Sequence, residues 1–151
     1  MENKKNMLKI VIATFFIWIS LLSCKKEVAT ANLLTTNYCE VKIPLEKDET
    51  ITFWVDIDME YENTPLIVYS FKFFEGDNFL FEGGLDPFNA IPKKDYKIEK
   101  LNNKTNISFK GKLEGNFNAK KDGIYIIKIN LIKNNSPEFK LHRTLLTFIK
   151  E

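Results

Sequence analysis

One stretch of this chain decides most of what it can fold into. From Ile107 to Ala119, apolar or small residues occupy every second position: Ile107, Phe109, Gly111, Leu113, Gly115, Phe117 and Ala119. The positions between them, Ser108, Lys110, Lys112, Glu114, Asn116 and Asn118, are polar. A helix returns to one face every 3.6 residues and a strand every two, so this pattern predicts a half-buried strand. The two glycines on the apolar face predict a bend or bulge where a facing side chain approaches. Thr50–Met59 repeats the pattern. Ile51, Phe53, Val55, Ile57 and Met59 point one way; Thr52, Trp54, Asp56 and Asp58 point the other. Leu66–Phe74 (LIVYSFKFF) is apolar on both faces at first, which predicts a central strand.

Turn clusters separate these runs. Glu62-Asn63-Thr64-Pro65, Glu75-Gly76-Asp77-Asn78 and Asn134-Asn135-Ser136-Pro137 each end a strand. Phe79–Glu82 reads as a short strand. Gly83–Asp95, with Pro87 and Pro92, reads as a long loop or a very short edge, and Asp95–Leu101 as another short strand. Lys120-Lys121-Asp122-Gly123 is expected to close a hairpin with Gly123 at positive φ, before Ile124–Ile132 returns. Phe139–Ile149 ends the chain. The expectation is an all-β domain over residues 38–151, an antiparallel β-sandwich, immunoglobulin-like or related, of about seven or eight strands. Residues 24–37 lack a period and are expected to form a flexible tether, with Leu33-Leu34 docking on the domain.

Phe117–Ile129 (FNAKKDGIYIIKI) resembles the closing hairpin of many immunoglobulin-like extracellular sandwiches, where an Asp-Gly turn precedes a Tyr-bearing strand. The Cys–Trp–Cys spacing of true immunoglobulin domains is absent.

The N-terminus has a different logic. Lys4, Lys5 and Lys9 precede the uncharged run Ile10–Leu22 (IVIATFFIWISLL). A basic segment followed by a short apolar one reads as a secretory signal, helical and spanning residues 1–23. The run is shorter than the roughly 20 residues that cross a bilayer. It ends in Leu21-Leu22-Ser23-Cys24, which resembles the lipobox of bacterial lipoproteins. The resemblance implies cleavage before Cys24, a diacylglyceryl group on its thiol and an N-acyl chain, commonly palmitate, on its amine. It also implies a lipid-anchored protein of the bacterial cell envelope, and Lys25 after the cysteine resembles the outer-membrane sorting pattern. One acyl chain binds a membrane only marginally, but two or three hold a protein there. An ordinary cysteine near a signal-peptidase site, paired with Cys39, is the alternative. With Cys24 lipidated, Cys39 is either a small buried residue or a thiol open to a partner.

Charge excludes one class of partner. Three of the 22 Lys and Arg, and one of the 20 Asp and Glu, lie in residues 1–23, so the rest of the chain is balanced. Arg143 is the sole arginine. A balanced chain almost without the forked guanidinium is not expected to bind nucleic acid.

No catalytic constellation is visible. His142 is the only histidine, without a CxxC, HExxH or GxSxG motif around it, so it reads as a surface residue. Asp56, Asp58, Glu60 and Glu62 recur every second residue and are expected to line one strand face. They are a solvated face with lysines across the sheet, a Ca²⁺ site built from hard oxygens, or part of a glycosidase acid pair. Trp54 shares their parity. It is either buried under the Gly83–Asp95 loop or exposed to stack against a sugar ring. The expected function is a non-enzymatic envelope binding or structural-accessory module without a cofactor, contacting the membrane through its lipid and possessing an envelope protein or glycan partner. The alternative is a carbohydrate-binding or sugar-processing protein using Trp54 and the acidic strand.

Overall fold

The computed structural model describes residues 25–92 and 97–151. The leader with its expected helix, Cys24 and residues 93–96 lie outside the described residues. Two antiparallel sheets face each other. The first holds β1 (Lys26–Asn32), β3 (Thr50–Tyr61), β8 (Lys104–Asn118) and β10 (Phe139–Lys150) in the order β1-β10-β3-β8. Along the outer edge of β8 run two short pieces, β6 (Ile91–Pro92) and β7 (Lys97–Leu101). The second sheet holds β2 (Tyr38–Leu45), β4 (Ile67–Glu75), β5 (Asn78–Leu85) and β9 (Gly123–Lys133) in the order β2-β9-β4-β5. The chain is thus the expected all-β sandwich. Its last strand lies between its first and third, which is the strand order of a jelly roll rather than of an immunoglobulin domain.

Parity along the strands builds the core. Ile51, Phe53, Val55, Ile57 and Met59 on β3 are all buried and meet Tyr69, Phe71 and Phe73 of β4 across the sheets. Phe53 packs on Phe71 at 4.8 Å and edge-on to Phe148 at 5.7 Å. β4 is central, flanked by β5 and β9, as its doubly apolar sequence predicts. The inward residues of β8 are buried as its alternation requires, Leu113 fully. Each layer alone would leave one apolar face in water, so the pairing of the layers carries the hydrophobic gain. Three hydroxyls inside are satisfied: those of Tyr69 and Thr144 share a 2.6 Å hydrogen bond, and Thr52 donates to the Ile149 carbonyl at 3.4 Å.

Four expectations need correction. The tether does not exist as such over 26–32: this segment is β1, antiparallel to β10, with a register shift between Glu27 and Ala29. Only Ala31 of β1 is buried, so an edge strand with little apolar face shows no period. Leu33 does dock, fully buried, with its amide donating to Thr144 O at 3.1 Å. Second, Lys120–Gly123 closes no hairpin. β8 pairs with β3 and β9 with β2 and β4, so the turn arches from one sheet to the other. Gly76 is the only described glycine at positive φ (+55°), in the β4–β5 turn. The arch is held instead by Tyr125, whose hydroxyl donates to Lys121 O at 2.8 Å, the tyrosine-corner geometry of sandwich arches. Third, Gly83–Leu85 continues β5 instead of opening a loop; Asp86 then caps a 3-10 turn, Pro87–Asn89, by accepting from the Phe88 amide at 2.8 Å. Fourth, ten strand segments replace seven or eight, the surplus being β1 and β6; β7 falls within the short strand expected over Asp95–Leu101.

The glycines of β8 do what the pattern predicts. Between Thr52↔Asn116 and Trp54↔Lys112 the register slips, with extra residues on β8 around Gly115. A Cβ on Gly111 would stand 2.8 Å from Ile91 O, and one on Gly115 3.0 Å from Leu85 Cδ2. The β6 backbone therefore requires glycine at 111, whereas at Gly115 the tip of the Leu85 side chain would have to shift.

Candidate functional site

The outer face of the first sheet gathers most of the residues singled out by sequence. On β3, Trp54, Asp56, Asp58 and Glu60 share the face that points away from the core, while Glu62 lies beyond the end of the strand. Register sets their neighbours. Asp56 stands beside Lys110 on β8, Asp58 beside Arg143 on β10, and Glu60 beside Lys140 on β10.

Each carboxylate meets cations supplied by the flanking strands. Asp56 Oδ2 is 2.9 Å from Lys110 Nζ, and its Oδ1 accepts from Arg143 Nε at 2.8 Å. Arg143 Nη2 reaches Asp58 at 4.0 Å. Glu60 Oε1 accepts from Lys104 Nζ at 2.7 Å and lies 4.0 Å from Lys140. The Lys104 hydrogen bond holds the Glu60 carboxyl below the usual carboxylate range, and Glu60 in turn raises the Lys104 ammonium. The strand face is therefore an alternating lattice of opposite charges, the cross-strand arrangement that stabilises a sheet. Among the described residues no group of three or more His, Cys, Asp or Glu is placed to hold a metal ion.

Trp54 is half-buried at the floor of a shallow groove of about 350 Å³. Thr30, Asp56, Lys110 and Thr147 wall it, so β1, β8 and β10 supply its sides. Of the Gly83–Asp95 segment expected to cover it, Gly83–Leu85 lies in the other sheet and Ile91–Pro92 beyond β8, and none of its described residues lines the groove. An indole beside hydroxyls, one carboxylate and one ammonium combines a ring face with hydrogen-bonding groups.

His142 is exposed and sits where the β10 register shifts, between Leu141 and Arg143. Cys39 on β2 is half-buried and pairs with Ile129; burial, then the neighbouring Glu40, pushes its thiol up. A raised thiol is mostly protonated near neutrality and a poor nucleophile.

A second concavity was not expected from the sequence. It lies on the flank where β5 and β8 face each other with no strand between them. Its larger hollow, about 350 Å³, is lined by Leu80, Phe81, Phe117 and Tyr125, with Asn118 and Lys120 at the rim. A smaller neighbouring hollow, about 100 Å³, is lined by Phe53, Phe71 and Gly83. Phe81 and Asn116 line both hollows. The cause is a missing side chain. Gly83 of β5, opposite Phe71, stands at an inward-facing position with nothing within 4 Å of where its Cβ would be, whereas the space at Gly115 of β8 is taken by Leu85. Phe81, Phe73 and Phe117 stack in near-parallel planes beside the gap, Phe73 lying 4.5 Å from Phe81 and 5.0 Å from Phe117. The signal was present in Gly83-Gly84 following Phe79-Leu80-Phe81, but only the register of β5 on β4 shows that Gly83 faces inward.

Among the described residues no helix is long and apolar enough to cross a membrane. Comparison with known proteins brings no match, neither to a family model, nor to a curated protein, nor to a solved structure.

Proposed function

We propose that this chain is a bacterial envelope lipoprotein whose jelly-roll domain is a non-enzymatic binding module, held on the membrane by lipid on Cys24. The observation that carries the anchor is Leu21-Leu22-Ser23-Cys24 behind a basic and then uncharged leader. The folded domain supports it, because β1 begins at Lys26, so a lipid on Cys24 would hold the sandwich close against the bilayer. The binding role is supported by the charge lattice. Glu60, held by Lys104 below the usual carboxylate range, is a poor general acid, and Asp56 is engaged by Lys110 and Arg143, whereas the two concavities offer surface for recognition. Mass spectrometry of the N-terminal peptide tests the anchor. The reading expects a peptide that starts at Cys24 and carries the mass of two or three acyl chains. An unmodified Cys24 contradicts it.

A second reading rests on the Trp54 groove: a glycan ligand stacked on the indole and bonded by Thr30, Asp56 and Thr147. Titration of the mature protein with envelope oligosaccharides decides it, because Trp54 is the only tryptophan outside the leader. A saturable change in emission, absent in Trp54→Phe, supports the glycan; an unchanged spectrum rejects it.

A further inference from the structure

The register of the strands sorts the molecule into two ends. β1 starts, β10 finishes, β3 starts and β8 finishes at the same end, since Lys26 pairs with Lys150, Lys150 with Ile51, and Ile51 with Phe117. The arch from β8 then places the start of β9 there, and with it the β4–β5 turn, whose Gly76 amide donates to Ile124 O at 3.2 Å. Lys25, next to the proposed lipid site, therefore stands at the end where the β5–β8 cleft has its mouth. Three strand spacings, about 14 Å, separate β1 from β8 in the sheet. One flat surface touching the start of β1 also meets the mouth.

That mouth is apolar beyond the needs of folding. Phe81 is 44 % exposed and Leu80 39 %, and both line it. At the rim Glu75 is engaged by Lys121 at 2.9 Å, while Lys120 makes a 3.4 Å hydrogen bond to Asn118 Oδ1. A slender apolar pocket with an ammonium at its lip fits an anionic amphiphile: the chain goes in and the head group stays by Lys120.

We propose that the β5–β8 cleft takes one acyl chain of an anionic lipid from the bilayer on which the domain is anchored. This rests on the lipid-anchor reading above. The open space beside Gly83 admits the end of the chain, the Phe81, Phe73 and Phe117 rings form its wall, and Lys120 meets the phosphate. The domain is thereby docked in one orientation, with its Trp54 face turned sideways to the membrane.

The test uses the chain as the cell processes it, reconstituted into phosphatidylethanolamine vesicles containing phosphatidylglycerol with a photoactivatable diazirine in one acyl chain. Irradiation followed by peptide mapping is expected to place cross-links in Leu80–Leu85 and Gly115–Phe117. Gly83→Leu is aimed at the gap, and a Cβ at Gly83 meets no atom within 4 Å, so the side chain starts in open space. It should lose the cross-links to background with the melting temperature retained. Lys120→Glu, a rim change that leaves the core untouched, should lower their yield. Cross-links undiminished in Gly83→Leu would mean surface contact only and overturn the inference. So would wild-type protein that floats with the vesicles yet gives no cross-links there, as expected if a partner strand or a second copy occupies β5. Wild-type protein that does not float overturns the anchor itself, and the inference with it.

Discussion

Single residues carry unequal weight in this sandwich, and burial decides which matter. The Tyr69–Thr144 hydrogen bond lies in the core, and burial raises the Tyr69 phenol far above its ordinary range. Tyr69→Phe leaves the Thr144 hydroxyl buried alone, and should cost about 1–3 kcal/mol. Adding Thr144→Val should recover much of that loss, which thermal melts of the single and double variants would show. The acidic residues of β3 behave differently because water screens them. Glu60 has a lowered folded-state pKa, so its pair with Lys104 contributes stability at neutral pH that disappears as pH falls through that lowered value. Exposure keeps the effect small. Comparing melts of wild type and Glu60→Gln from neutral to about pH 3 should show curves that converge in acid. Millimolar Ca²⁺ should barely move the melting temperature, since Asp56 and Asp58 already face Lys110 and Arg143. A shift of several degrees, lost in Asp56→Asn/Asp58→Asn, would instead reveal a calcium site.

At the scale of elements, strands with one wet and one dry face were legible, and edges were not. β3, β4 and β8 announce themselves because half of their side chains enter the core, which imposes the period of two. β1 buries little and is a strand because β10 offers it backbone partners, a fact with no trace in its own composition. The Lys120–Gly123 arch was misread for a related reason. An Asp-Gly turn between alternating runs looks the same whether the strands pair or cross between layers, and only the saturated edges of β8 and β9 distinguish the two. The Trp54, Asp56, Asp58 and Glu60 face was legible because parity alone places it; the cleft was not, because it needs the register of two strands far apart in sequence. One consequence concerns where the domain begins. A chain starting at Tyr38 lacks β1 and the fully buried Leu33, whose loss alone removes about 2 kcal/mol of burial. It should melt well below a chain starting at Lys25 and expose the edge of β10. Equal melting temperatures by circular dichroism would show β1 to be dispensable.

For the whole molecule, two ends and two faces define the account. One end carries Lys25, the β8–β9 arch and the mouth of the cleft; the outer face of the first sheet carries Trp54 within its charge lattice. Everything proposed about orientation follows from holding that end at a membrane, and so depends on Cys24. The direct measurement is metabolic labelling with a radioactive fatty acid of cells making the wild-type chain or Cys24→Ser. Label on the wild-type protein, absent from Cys24→Ser, is the predicted result. Equal label on both, or none on either, would contradict the anchor.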